Sequence, residues 1–81
     1  MQTTYNTRRA ALQSLCEMAQ RRIAELEPAL VMIRAMYMTE PGGAQSDALL
    51  TAMVTMGGAL DAARVALAID QREMARLEAL A

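Results

Sequence analysis

The chain has 81 residues, room for one domain at most, and a formal net charge of −1 from eight Arg and nine acidic residues. That balance excludes a polybasic nucleic-acid binder. The absence of His removes the commonest general base and metal ligand, and the single Cys16 excludes an internal disulfide and points to a reducing compartment. Hydrophobic residues make up 54% of the chain, with eight Met, two Tyr and neither Phe nor Trp. This mixture favours helices over strands. A chain so short buries only about 60–65% of its unfolded surface when it folds alone. Two helices with one neighbour each do worse, so the composition predicts self-association or a partner.

Residues 1–6 read as an extended or frayed start, with Asn6 or Thr7 as the helix cap. From about Thr7 to Met38 the apolar residues keep a seven-residue repeat. One track holds Cys16, Ile23, Leu30 and Tyr37, and the other Leu12, Ala19, Leu26 and Ile33. Alternating steps of three and four are the signature of a coiled-coil seam. Pro28 falls inside this arm. It removes one ladder hydrogen bond and crowds the preceding turn, so it kinks the helix or splits it.

The segment from Thr39 to Ser46 is the turn. Pro41 stops the arriving helix, since it lacks an amide donor and disfavours α conformation at Glu40. Gly42 and Gly43 tolerate positive φ and allow reversal. Ser46 is placed to cap the second helix, with Asp47 in its first turn, where a negative charge suits the helix dipole.

The second arm, about 47–80, repeats the pattern. One track reads Met53, Leu60, Leu67, Met74 and the other Leu49, Met56, Ala63, Asp70, Leu77. Gly57 and Gly58 soften this arm or permit close backbone approach. The expected fold is therefore an all-α antiparallel hairpin, a single domain over 1–81, assembling into a dimeric or higher helical bundle.

Folding the arms together divides the molecule. Residues 28–60, the loop half, carry only Arg34, Glu40 and Asp47 as charges, while the remaining residues carry fourteen, seven of each sign. The loop half is apolar nearly all round its helices, which calls for burial on more than one side. The predicted partner or oligomer interface is Leu30, Val31, Met32, Met36, Tyr37, Met38, Leu50, Met53, Val54 and Met56. Methionine suits surfaces that adapt to a partner. The expected partners are a protein, a second copy, or both. Neither nucleic acid nor membrane is expected. Arg8 and Arg9 do not precede a signal-peptide core. The longest uncharged run, 13 residues from Ala48 to Leu60, is shorter than the roughly 18–20 a membrane span needs. The expected location is the cytoplasm.

No residue set reads as catalytic, cofactor-binding or metal-binding. Cys16 lies on the seam as a small buried hydrophobe. Asp70 is the one charge on a seam track. Either the seam has opened there and Asp70 is solvated, or an Arg, Arg22 or Arg9, pairs with it and fixes register. Arg21, Arg22 and Arg72 gather at the charged base. They form a solvated face or, as a second function class, part of a small-ligand or nucleotide site between subunits.

The run Leu26-Glu27-Pro28-Ala29-Leu30 through Arg34, then Gly42-Gly43 and Ala59-Leu60-Asp61-Ala62, resembles the small helical-hairpin co-chaperones of type III secretion needle subunits. That resemblance implies a non-catalytic hairpin working on a larger helical-repeat partner. Phage-encoded inhibitors of bacterial machinery share this size. The function expected from the residues is non-catalytic protein binding, as an adaptor, co-chaperone or inhibitor.

Overall fold

The computed structural model describes residues 2–39 and 42–80. They form two helices packed side by side, α1 (Gln2–Thr39) and α2 (Ser46–Ala79), with no strand among the described residues. At 1.5 Å per residue the 38 residues of α1 rise about 57 Å. The molecule measures 60 × 14 × 14 Å, so it is a rod one helix long and two helices thick.

Both seams form as the heptads require. On α1, Cys16, Ala19 and Leu30 are buried, and Leu12, Ile23, Leu26, Ile33 and Tyr37 are half-buried. On α2, Leu60 and Ala63 are buried, and every other residue of the two tracks, Asp70 included, is half-buried. The Cys16 thiol donates to Met74 Sδ at 3.9 Å across the seam. Ion pairs tie the same register along the rod: Arg8 to Glu73 at 3.2 Å, Arg9 to Glu78 at 3.3 Å and Arg64 to Glu27 at 3.0 Å. All are exposed, so they select the register more than they stabilise it.

Three local expectations are corrected. First, α1 begins at Gln2 and not near Thr7. Tyr5 continues the track of Leu12 and Ala19 one heptad earlier and is half-buried, which gives the first turn something to pack on. Asn6 and Thr7 lie within the helix, and the Thr7 hydroxyl donates back to the Thr3 carbonyl at 2.8 Å. Second, Ser46 is the first helical residue of α2, not its cap, and Gln45 holds the cap position without a side-chain capping bond. The Ser46 hydroxyl accepts instead from the Gly42 amide at 3.4 Å, while its own amide donates to the Gly43 carbonyl at 3.0 Å. The side chain therefore braces the reversal that Gly42 makes at φ +83°. Asp47 does sit in the first turn of α2. Third, a Cβ added at Gly57 or Gly58 meets nothing within 4 Å, so these glycines mark no close backbone approach within the hairpin. The stop signal at Glu40 and Pro41 lies outside the described residues. α1 runs through Pro28 without a break in its helical assignment, with Pro28 on the exposed side.

The packing is thin. The buried core comprises Cys16, Ala19, Leu30, Leu60 and Ala63, and no large side chain among the described residues is fully buried. The accessible surface is 6032 Å². A compact monomer of 8.8 kDa exposes about 4,800 Å².

Leu60→Ala, at the most buried position, is expected to lower stability by about 2–4 kcal/mol. Gly58→Ala is expected to raise it by about 0.5–1 kcal/mol, because the helix gains propensity and the methyl meets nothing. Thermal and urea unfolding followed by circular dichroism check both. A destabilising Gly58→Ala would contradict the open space at that position.

Candidate protein-interaction surface

With the seam tracks labelled a (Cys16, Leu30, Leu60, Met74) and d (Ala19, Ile33, Met56, Ala63), the flanks fall into two faces. In an antiparallel pair, g positions meet across one side of the seam and e positions across the other. The ion pairs agree: Arg8 and Glu73 are both g, and Glu27 and Arg64 are both e.

The e side, with its neighbouring b positions, is polar over the base, where Gln13, Glu17, Gln20, Asp61 and Arg64 lie. It turns mainly apolar in the loop half, with Val31 64%, Met38 73%, Leu50 46% and Val54 69% exposed beside Arg34 and Asp47. The g side, with its c positions, is apolar along most of the rod. On α1 it presents Leu15, Met18, Met32 and Met36, all exposed. On α2 it presents Ala48, Ala52, Ala59, Ala62 and Ala66, followed by Ile69.

The predicted interface therefore divides. Val31, Met32, Met36, Met38, Leu50 and Val54 are exposed and available. Leu30 is buried in the seam, and Tyr37, Met53 and Met56 are half-buried there, so these four are committed largely to holding the hairpin shut. Leu15, Met18, Val65 and Ile69 were not anticipated: all four are exposed apolar residues in the charged half. The signal for Leu15, Met18 and Ile69 was their repeat one step off the seam, at g and c.

The base does not gather its arginines. Arg21 and Arg22 line an open groove of about 310 Å³ with Met18, Glu25, Ala63 and Ala66. Arg72 does not border it, and an acid does. Arg9 reaches Glu78 and not Asp70. Among the described residues Asp70 forms no ion pair with Arg22 or any other cation, and no buried side-chain polar atom lacks a partner. Asp70 is half-buried at the seam edge, close to Cys16. No group of His, Cys, Asp and Glu among the described residues could hold a metal ion.

Three pKa shifts mark the base. Burial first, then the Asp70 and Glu17 carboxylates, push the Cys16 thiol up. The Arg76 hydrogen bond at 2.7 Å is the largest influence on Glu73 and, with the charges of Arg76 and Arg8, holds its carboxyl below the usual range against some desolvation. Arg76 is raised in turn by the same hydrogen bond.

α2 also contains an 18-residue stretch with mean hydropathy 1.4, long and apolar enough by length and composition to cross a membrane, of which 11% is buried. Charges are sparse between Asp47 and Arg64, so a window can reach this value although no uncharged run is that long. Comparison with protein-family models, with curated proteins and with solved structures finds no match.

The shifts predict a stability plateau. A lowered carboxyl stabilises above its unfolded pKa, and that contribution is lost as pH falls through the folded value. A raised thiol stabilises below its unfolded pKa, and that contribution is lost as pH rises through the folded one. Glu73→Gln is therefore expected to flatten the acid limb of the stability–pH curve slightly. Superimposable acid limbs would contradict the pairing.

Proposed function

We propose that the hairpin is a non-catalytic protein-binding module, an adaptor, co-chaperone or inhibitor that acts by occupying a protein surface through its apolar, Met-rich loop half. The supporting observation is the set Val31, Met38, Leu50 and Val54, exposed on the e side of the loop half, with Arg34 and Asp47 as the described charges among them. An exposed apolar patch with few charges marks an interaction site. Methionine gives such a surface latitude in the partner it accepts. In this reading the chain works in the cytoplasm, carries no cofactor, and associates with itself as well as with its target. It includes a bend of α1 at Pro28, close to the level where Glu27, Leu30 and Gly57 line one groove. The two-helix fold also accords with the hairpin co-chaperones. One observation favours a second reading: the hydropathy of α2 suits contact with a bilayer.

Affinity capture from host-cell extract, with Val31→Asp/Met38→Asp and Arg21→Ala/Arg22→Ala hairpins run beside the original, tests the proposal. Specific partners should disappear with the acidic loop-half variant and persist with the arginine variant. The reverse pattern would support the small-ligand class at the base, and flotation with liposomes in place of protein capture would support the bilayer reading.

A further inference from the structure

The g side remains after the loop-half surface has been assigned. We infer that this face pairs with the same face of a second copy, antiparallel and about a two-fold axis, giving a four-helix bundle with its loops at opposite ends. The inference rests on the protein-binding reading above and names one occupant for one face.

Along this face α1 places Ala11, Leu15, Met18, Arg22, Glu25, Ala29, Met32 and Met36 in steps of four and three. Laid antiparallel on itself with Arg22 against the second copy's Glu25, the stripe matches throughout. Met18 meets Ala29, Leu15 meets Met32, and Ala11 meets Met36, so large meets small or fills beside large. The charges in the middle of the stripe, Arg22 and Glu25, form two reciprocal pairs across the axis. No other charge lies on the stripe between Ala11 and Met36. This self-complementarity is what an isologous interface requires.

α2 independently supplies the same axis. Its stripe continues as Ala52, Ala59, Ala62, Ala66 and Ile69, and pairing Ala62 with the second copy's Ala66 sets Ala59 against Ile69. Small side chains let two helices approach closely. The centre on α1 lies between Arg22 and Glu25, and on α2 between Ala62 and Ala66. In the hairpin these levels coincide: Arg22, Glu25, Ala63 and Ala66 line one groove of about 310 Å³. One two-fold axis through that groove therefore serves both helices. Toward the ends, the Glu73–Arg76 pair falls over the second copy's Thr55 and Ala52, already neutralised within its own chain.

The area is sufficient. The hairpin exposes 6032 Å², an excess over a compact monomer of the same mass that exceeds the roughly 800 Å² per partner of a standard interface. Pairing along this face leaves Val31, Met38, Leu50 and Val54 uncovered on the opposite side for a different protein.

Sedimentation equilibrium on the full chain tests this. The expected mass is twice 8.8 kDa. Arg22→Glu, at an exposed position, should keep its helical spectrum and fall to single chains, because each like-charge juxtaposition now repeats across the axis. Arg22→Glu/Glu25→Arg should restore the double mass. In a Cys16→Ser background, Leu15→Cys/Met32→Cys should oxidise to covalent dimers, whereas Met32→Cys alone should not, since the two Met32 positions lie far apart. A single-chain mass for the original protein, or an Arg22→Glu variant that keeps the double mass, overturns the inference. If that double mass instead falls with Val31→Asp/Met38→Asp, self-pairing runs through the loop-half face, and the protein-binding reading stands without this one. If no variant changes mass and the loop-half variant captures the same proteins as the original, both fail.

Discussion

Each helix of this molecule has one neighbour, and that constraint governs the rest. A seam between two helices covers roughly a third of each circumference, whatever the quality of its packing. Here the seam is filled by residues such as Leu30, Leu60, Cys16 and Ala63, yet no large side chain among the described residues is enclosed on all sides. Stability is then tied to an apolar surface that stays in water, the area that a globular core would hide. The charged base is closed by exposed ion pairs that favour one register without adding much energy.

The two flanks of the seam have different chemistry, which is the basis for treating them as two surfaces. The e side is polar at the base and apolar only toward the loop. The g side is apolar along most of the rod, bulky on α1 and alanine-lined on α2, with Arg22 and Glu25 at its middle and the Arg8–Glu73–Arg76 ion pairs near one end. A patch confined to one end suits a partner that approaches the tip. A stripe running the length of the rod, with its charges balanced at the middle, suits a second rod of the same length. The Cys16 thiol lies in the seam and is pushed toward its neutral form, and Arg21 and Arg22 of the base stand beside Glu25.

The fold was largely legible because heptads report directly on which side of a helix faces its neighbour. Each residue of the predicted tracks from Leu12 to Tyr37 and from Leu49 to Leu77 proves buried or half-buried. Gly42 was readable for the same local reason, as a residue free to take positive φ. The helix start was not, because Thr3, Thr4 and Asn6 are weak helix formers, and the long-range packing of Tyr5 overrides them. Ser46 was misplaced by one step, since capping depends on the turn geometry that Gly42 sets. The interaction surface was legible only in part. Where a helix is apolar all round, as from Ala29 to Met38, composition cannot separate Leu30, which closes the seam, from Val31, which faces water. Leu15 and Met18 were hidden among charges, and their alignment with Met32 and Met36 emerges once the register is fixed.

The central claim is that this hairpin reaches its working stability only when its exposed apolar faces are covered. The concentration dependence of thermal unfolding tests it most directly, since association stabilises the folded state by mass action. Following the helical signal of the isolated chain over a hundredfold range of concentration, the account predicts a melting temperature that rises steadily with concentration. A high, cooperative melting temperature that does not move with concentration would contradict it, because the two-helix rod would then be stable alone.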